Sequence, residues 1–177
     1  KVVANIPYQI SSPLIKKLTR HLKAQTKPIA HVVLMLQLEF AQRLSMNHPA
    51  DVGSLGLTVA LDWDVEEHHM VPPHHFSPQP AVQSQVVGMK PHGREFSVDK
   101  RLLQQMIHHA FDQRRKKIRS SMKKAPRRIS RIKGWHAQRW RDAMQSLHDL
   151  DIVNARPEEL TLEDWIDFAK KVEKGSK

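Results

Sequence analysis

An apolar run of strand length at residues 31–36 constrains the fold of this chain more than any other feature. A strand of this kind suits burial on both faces, which is typical of a sheet between two layers of helices. A helical pattern follows it at residues 38–46. Residues 2–4 indicate the end of another buried strand, and the Ser-Ser-Pro sequence at 11–13 then predicts a helix with an N-cap serine and proline at its first position. Strands that alternate with helices predict an α/β sheet.

The α/β pattern continues to about residue 90 and then changes. Residues 55–61 and 83–89 are each expected to form a strand. Prolines and a glycine then cluster, and only helical patterns follow. We therefore place a domain boundary within residues 90–97, with an α/β domain at 1–95 and a helical domain at 96–177.

The second domain is expected to be small and all-α. Asp99 is placed to cap a long helix whose apolar positions keep helical spacing as far as Met122. Another helix is expected at residues 138–147. Thr161 and Asp164 match a capping box, which predicts the start of a last helix.

Length and composition fit a folded protein of a reducing compartment. The chain has 177 residues, 40% of them hydrophobic, and no cysteine, which excludes a disulfide framework and thiolate metal sites. No apolar run approaches membrane-spanning length, and no charged and then apolar leader opens the chain. We therefore expect a soluble cytoplasmic protein with no membrane partner and, by default, a monomer.

The net charge of +11 indicates a polyanionic partner, and most of it lies in the second half. Residues 1–97 carry a net charge of +2 and residues 98–177 carry +9. Residues 114–141 contain thirteen Lys and Arg and no acid, which would attract a phosphate backbone, and residues 114–119 are expected to continue the long helix. The alternative is a solvated basic helix face. We predict phosphate contacts from Arg114, Arg115, Lys116, Lys117, Arg119, Lys123, Lys124, Arg127 and Arg128.

The four residues Asn5, Ile6, Pro7 and Tyr8 suit the methylation of an exocyclic amine on a base. The Asn5 carboxamide oxygen and the Ile6 carbonyl can accept both N–H bonds of an adenine amine, which leaves the nitrogen lone pair for an electrophile. Pro7 keeps Ile6 extended, so these carbonyls stay at a strand end. Tyr8, the only tyrosine, offers a flat face to an unstacked base. The alternative is an ordinary strand-to-helix turn.

Phe76 lies at the centre of a proline-rich segment, residues 71–84, between two strands. A loop of this stiffness can hold one large aromatic side chain in place. If the loop lies beside Asn5, a flipped base would be gripped between Phe76 and Tyr8. The alternative is that Phe76 anchors the loop in the core.

The twelve histidines do not predict a metal site. They include three adjacent pairs, but adjacent residues on a strand point to opposite faces, and no carboxylate completes a ligand set at recognisable spacing. Trp135, Trp140 and Trp165 are spaced as in helices and are expected in the helical core.

Several of these segments occur in an order that resembles a known family. The motifs are NIPYQISSPL at 5–14, LQLEFAQRL at 36–44, VPPxxFxPxPxVxS at 71–84 and AFDQRRKKIR at 110–119, with RPEELTLEDW at 156–165. In this order they resemble successive motifs of the KsgA-type rRNA adenine N6,N6-dimethyltransferases. The resemblance spans most of the chain.

The resemblance implies a Rossmann-like S-adenosylmethionine-dependent methyltransferase sheet followed by a small all-α domain. The implied activity is dimethylation of adenine N6 near the 3′ end of small-subunit (16S-type) rRNA, within a 30S-type particle and during small-subunit maturation. Asn5, Ile6, Pro7 and Tyr8 would bind the target amine, Asn5 would also touch the methyl donor, and Phe76 would stack on the base. Displacement at a methyl carbon needs positioning more than a strong base, so neither a catalytic triad nor a metal is expected.

One departure from the family concerns the methyl donor. The family's Gly-rich turn and its ribose-binding acid would precede Lys1, and none of the six glycines stands in a G-x-G arrangement. We therefore expect an N-terminally truncated chain, with only the C-terminal half of the Rossmann-like sheet, that does not methylate unaided. Two alternatives stay open: a non-catalytic rRNA-binding ribosome-assembly factor and an Erm-like methyltransferase of large-subunit rRNA.

Overall fold

The chain divides into two compact units, Lys1–Arg94 and Glu95–Lys177. The structure is a computed structural model that describes residues 1–24 and 28–175. Within these residues, no helix combines the length and the apolar character needed to cross a membrane.

The first unit is a four-stranded mixed sheet with helices. The sheet has the order β1-β2-β4-β3, in which β1 and β2 are parallel and the other neighbours are antiparallel. The elements are β1 (Val2–Asn5), α1 (Ser11–Ala24), β2 (Val32–Gln37), α2 (Leu38–Ser45), α3 (Ser54–Val59), β3 (Trp63–Val71) and β4 (Ser84–Pro91).

The core of the first unit is built around β2, which confirms the strand expected at 31–36. Side chains of β2 alternate between fully buried and half-buried, so both of its faces are covered. Val32, Leu34 and Leu36 have no exposed surface. Such a strand contributes to stability mainly by removing apolar surface from water. The strand expected at 83–89 is likewise confirmed as β4.

The strand expected at 55–61 is wrong, because most of this segment forms α3. Its apolar residues fit two periods, and the buried pair Leu57 and Leu61 follows the helical spacing of four. Gly56 permits the packing of α3 against the end of α2, since a Cβ there would collide with the Met46 side chain. The close approach of α3 to α2 therefore overrides local strand propensity. The missed strand is β3, which begins at Trp63.

The helix opened by the Ser-Ser-Pro sequence forms, but its capping differs from the expectation. α1 begins at Ser11, directly after a 3-10 turn at Tyr8–Ile10, so Pro13 is the third helical residue. The Ser11 hydroxyl donates to the Tyr8 carbonyl at 2.9 Å. This serine therefore ties the helix to the preceding turn and does not act as an N-cap acceptor.

The second unit is helical, with 3-10 turns between its helices. Asp99 caps the first helix by accepting a hydrogen bond from the Arg101 amide at 2.7 Å. Trp135, Trp140 and Trp165 are buried in the core, as their spacing indicates. The helices are α4 (Lys100–Phe111), α5 (Ile118–Ser121), α6 (Ala137–Ser146) and α7 (Leu162–Lys174).

The expected long helix is wrong beyond Phe111, where α4 ends. Residues 112–117 form turns, and the amide of Ile118 donates to the Ala155 carbonyl at 2.9 Å. A continued helix would place Arg115 and Arg119 one turn apart, where like charges repel. Ile118 and Met122 are nevertheless fully buried. The apolar spacing of these two residues therefore predicted correctly that they lie in the core. It predicted wrongly that the long helix continues to them.

A capping box begins α7, as expected from the sequence. The Thr161 hydroxyl donates to the Asp164 carboxylate at 2.6 Å, and the Thr161 amide donates to the same oxygen at 2.9 Å. The Asp164 amide in turn donates to the Thr161 hydroxyl at 3.2 Å. The hydroxyl bond, followed by the amide bond, holds the pKa of Asp164 below its usual range.

Candidate functional site

Strand ends meet at one edge of the sheet in the first unit. Asn5, the last residue of β1, pairs with Met35 near the end of β2. Gln37, the last residue of β2, pairs with Ser84, the first residue of β4, and Val71 at the end of β3 pairs with Ser84 from the other side. The turn after Asn5 and the loop between β3 and β4 therefore leave the sheet at the same edge. Open α/β sheets bind ligands at the carboxyl ends of their strands.

The turn after β1 presents two acceptors at this edge. Asn5 is exposed at the strand end, whereas Ile6 is 8% exposed and anchors the turn in the core. Pro7 has φ −56° and ψ 131°, and its carbonyl accepts a hydrogen bond from the Ile10 amide at 3.1 Å, which starts the 3-10 turn. Within residues 1–24 and 28–175, nothing hydrogen-bonds to the Asn5 carboxamide or the Ile6 carbonyl. Both oxygens are free to accept from a ligand.

A cavity of about 330 Å³ opens at this edge. Its volume lies at the lower end of the range usual for small-molecule sites, ~300–1,000 Å³. The structure brings together around it all five residues expected to hold a base, together with two prolines of the loop. The lining residues are Asn5, Ile6, Pro7, Tyr8, Phe76, Pro78 and Pro80.

Ser84 orients Tyr8 and was not identified from the sequence. The two hydroxyls are 2.7 Å apart, and Ser84 is fully buried at the start of β4. This hydrogen bond joins the turn after β1 to the strand after the proline-rich loop. The final serine of the VPPxxFxPxPxVxS motif was the available signal, but no contact with Tyr8 could be inferred from it.

Phe76 is held by a short 3-10 turn at Pro73–His75. The His75 amide donates to the Pro72 carbonyl at 3.2 Å, and the Phe76 amide donates to the Pro73 carbonyl at 3.1 Å. Phe76 is half-buried and lines the cavity, and it is not a member of the buried core cluster. The position of Phe76 is therefore more consistent with a role at the cavity wall than with the alternative, in which it anchors the loop in the core.

The nine basic residues expected to contact phosphate are all exposed. They occupy the turns after α4, the short helix α5 and the segment that follows it, and the expected continuation of the long helix is absent. The Arg114 guanidinium Nε lies 3.9 Å from a Glu158 carboxylate oxygen. A separate cavity of about 200 Å³ is lined in part by Arg127 and Arg128.

In the part of the chain that the structure describes, no group of residues forms a set of metal ligands. No cluster of three or more His, Asp or Glu could hold an ion there.

Comparison with known proteins agrees with the motifs at this edge. The family model described as ribosomal RNA adenine dimethylase matches residues 1–134. The chain belongs to the ribosomal RNA adenine dimethylase family. The family resemblance inferred from the motifs is thus confirmed.

Individual relatives extend the family match to nearly the whole chain. The chain is 30% identical over 172 residues to ribosomal RNA small subunit methyltransferase A of Verminephrobacter eiseniae (strain EF01-2), covering 97% of this chain and 54% of that protein. It is 34% identical over 176 residues to the protein of the same name from Prochlorococcus marinus (strain NATL1A), covering 96% and 57%. The chain therefore spans about half the length of the curated relatives it matches.

A solved structure supports the fold expected for the ribosomal RNA adenine dimethylase family. A dimethyladenosine transferase from Plasmodium falciparum superposes with a TM-score of 0.76 at 23% identity, covering 98% of this chain and 67% of that one. This likeness concerns the fold alone. It confirms the α/β methyltransferase fold class.

Among the described residues, only one is a candidate for contact with S-adenosylmethionine, the family's methyl donor. Asn5 lies at the carboxyl end of β1 with a free carboxamide, which suits a polar contact with the donor. The glycines are used elsewhere: side chains pack against Gly56 and Gly88, and Gly93 and Gly134 occupy turns with positive φ. None lines the cavity. The residues that line the cavity therefore suit the amine that receives the methyl group better than they suit the nucleoside of the methyl donor.

Proposed function

We propose that this chain is the target-base and RNA-docking part of an S-adenosylmethionine-dependent enzyme that dimethylates adenine N6 near the 3′ end of small-subunit rRNA. One observation carries the proposal. Two free acceptors, on Asn5 and Ile6, line the same cavity as the rings of Tyr8 and Phe76. This combination suits a flat base with an exocyclic amine, and membership of the ribosomal RNA adenine dimethylase family supports adenine as that base.

In the proposed reaction the chain positions the amine. In the first transfer the Asn5 carboxamide oxygen and the Ile6 carbonyl each accept one N–H of adenine N6, so that the nitrogen lone pair points away from both acceptors. In the second transfer one N–H remains, and one of the two oxygens accepts it. S-adenosylmethionine, when bound, supplies an electrophilic methyl group. Tyr8 and Phe76 hold the ring by stacking, and the hydrogen bond to Ser84 keeps Tyr8 in place.

Proton removal needs no dedicated base in this proposal. The nitrogen would gain the methyl group as the methyl–sulfur bond of the donor breaks, with S-adenosylhomocysteine as the leaving group. The methylated nitrogen is then positively charged and strongly acidic, so it loses one proton to water. The contribution of the protein is therefore orientation. In well-aligned reactions, orientation lowers the activation barrier by about 7–11 kcal/mol at most.

The proposal extends to the partner and the compartment. Exposed cations on the second unit, in a half-chain of net charge +9, support docking on the rRNA backbone of a 30S-type particle. We propose that the protein acts there as a cytoplasmic monomer during small-subunit maturation. Sedimentation of the protein with and without 30S-type particles tests both the partner and the monomeric state.

The deciding experiment replaces Asn5 in the full encoded protein. Asn5→Ala should lower methyl transfer to small-subunit rRNA by about 10²–10³, because one of two oriented hydrogen bonds to the reacting amine is lost. Rates are measured with radiolabelled donor, and rRNA affinity is measured in parallel and should change less than about twofold.

The matched control is Gln9→Ala, which removes an exposed amide from the same turn but not from the cavity. It should transfer at the wild-type rate. Wild-type protein that methylates no rRNA would refute the enzymatic proposal and favour an assembly factor. Transfer only to large-subunit rRNA would favour the Erm-like alternative.

A further inference from the structure

A second cavity lies on the same edge of the sheet as the cavity lined by Asn5, Tyr8 and Phe76, which is proposed to hold the target base and is called the target-base cavity below. It encloses about 290 Å³ and is lined by Gln37, Leu38, Glu39, Gln42, Val82 and Gln83. Its two walls are the end of β2 with the start of α2, and the last residues of the proline-rich loop.

Backbone hydrogen bonding fixes these walls relative to the target-base cavity. The Leu38 amide donates to the Gln83 carbonyl at 3.0 Å, and Gln37 pairs with Ser84 in the sheet. Ser84 is the residue whose hydroxyl holds Tyr8. One loop therefore supplies Phe76 to the first cavity and Val82 to the second.

The polar side chains of the second cavity are uncommitted. Across residues 1–24 and 28–175, no hydrogen bond or ion pair engages the side chains of Gln37, Glu39, Gln42 or Gln83. Three carboxamides and one carboxylate in one small cavity can both donate to and accept from the edge of a base. Val82 is an exposed apolar side chain, 43% accessible, that offers a surface to the face of a base.

The charge of the cavity argues for a base and against a phosphate. Its lining includes the carboxylate of Glu39 and no cation. A carboxylate repels phosphate and accepts hydrogen bonds from base amino groups. Unpaired RNA bases are read in this way, through their edges and one face.

We infer that this cavity binds the base of a nucleotide that flanks the target adenine, with preference for a base that carries an amino group over uracil. The inference rests on the proposed function, because it takes the first cavity to hold the target. Glu39 accepts from the amino group, Gln42 and Gln83 read the rest of the edge, and Val82 contacts the ring. Enzymes that act on flipped bases derive sequence preference from contacts of this kind with flanking nucleotides.

The first test measures sequence preference with the full encoded protein. RNA substrates from the small-subunit 3′ end carry adenosine, cytidine, guanosine or uridine on either side of the target. At one of the two positions uridine should lower kcat/KM by roughly tenfold, and this discrimination should vanish in Glu39→Ala and Gln42→Ala. The control Gln79→Ala lies in the same loop, is exposed and lines neither cavity, so it should keep the wild-type preference.

The second test does not depend on activity. 2-Aminopurine, which carries an amino group and fluoresces more when unstacked, replaces the flanking base. Wild-type protein should raise its fluorescence on binding, and Glu39→Ala and Gln42→Ala should reduce that rise severalfold. Thermal unfolding curves identify any variant that fails to fold, in which case Gln83→Ala, a change at an exposed side chain, takes its place.

The outcomes separate the subsite from the proposed activity. Equal discrimination and equal fluorescence in wild type and both variants would overturn the subsite, even if methyl transfer is normal. A variant-sensitive fluorescence rise without any methyl transfer would support the subsite and overturn the proposed activity.

Discussion

At the scale of single residues, the hydrogen bond between Tyr8 and Ser84 links the two segments that line the cavity proposed to hold the target base. The bond spans 2.7 Å between a half-buried tyrosine and a fully buried serine. A buried hydroxyl without a partner costs more than the bond itself contributes. Tyr8 is therefore constrained to one orientation by the cost of leaving Ser84 unpaired.

Tyr8→Phe should destabilise the first unit and slow methyl transfer. We expect a loss of about 1–3 kcal/mol in the free energy of unfolding, because the Ser84 hydroxyl stays buried without its partner. Ser84→Ala removes the buried group together with the bond and should cost less. A double-mutant cycle from urea unfolding measures the coupling between the two hydroxyls. Equal losses in Tyr8→Phe and Ser84→Ala, with no coupling, would contradict the role assigned to the bond.

At the scale of elements, the capping box of α7 shows how far local sequence patterns reach. Thr161 and Asp164 could be assigned from their spacing alone, because a capping box is formed entirely by neighbours in the chain. Its bonds keep the pKa of Asp164 low. A carboxyl whose pKa is lower in the folded state than in the unfolded state stabilises the fold above its ordinary pKa. That contribution is lost as the pH falls through the folded-state pKa.

Thr161→Ala should lower the free energy of unfolding of the helical unit by about 1 kcal/mol at neutral pH. The difference from wild type should shrink below the ordinary carboxyl pKa, because protonated Asp164 no longer gains from the threonine. Urea unfolding followed by tryptophan fluorescence at neutral and acidic pH measures this. Ser130→Ala, which removes an exposed hydroxyl outside the box, is the control. A difference that does not change with pH would show that Asp164 is not stabilised by Thr161.

Elements whose form depends on distant contacts could not be predicted in the same way. Residues 55–61 have a strand-compatible alternation, but most of them lie in α3, where Gly56 approaches Met46 so closely that a Cβ would collide with its side chain. The helix expected through residue 122 is likewise ended by a turn, and the Ala155 carbonyl accepts a hydrogen bond from the Ile118 amide after that turn. By contrast β2 could be predicted, because a strand that is covered on both faces favours an unbroken apolar run such as residues 32–36.

The five residues expected to hold a base line one cavity in the structure, but the geometry of that cavity could not be predicted. The order of motifs pointed to Asn5, Tyr8 and Phe76, and the carboxyl ends of strands are where such residues meet. The contact of Ser84 with Tyr8 joins residues 76 positions apart in the chain. No periodicity or propensity encodes a pairing across that distance, so Ser84 emerged only from the structure.

At the scale of the whole molecule, the two halves of the chain differ in charge more than in size. Residues 98–177 carry a net charge of +9, against +2 for residues 1–97. In the basic segment, residues 114–128, turns around a short helix replace the expected continuation of the long helix, and the nine cations predicted to contact phosphate are exposed. An irregular segment can follow the backbone of folded RNA, whose recognition depends on shape and phosphate positions.

The basic segment should therefore dominate the salt dependence of rRNA binding by the full encoded protein. Each lost phosphate contact should reduce the slope of log affinity against log salt by about 0.7–0.9. Replacing Arg114 and Arg115 together by alanine should reduce the slope by more than the value for one phosphate contact and by less than the value for two. The reduction stays below two contacts because Arg114 also lies 3.9 Å from Glu158. Filter binding across a salt series measures the slope.

The control for this charge removal is the pair Lys16→Ala and Lys17→Ala on α1, two exposed cations outside the basic segment. If general electrostatic attraction governs binding, both double variants will lose affinity and slope equally, since each removes two positive charges. If Arg114 and Arg115 contact phosphates directly, only their replacement will flatten the slope, because counterion release is counted per contact. Equal slopes in the two variants would therefore contradict docking through the basic segment, whatever the change in affinity.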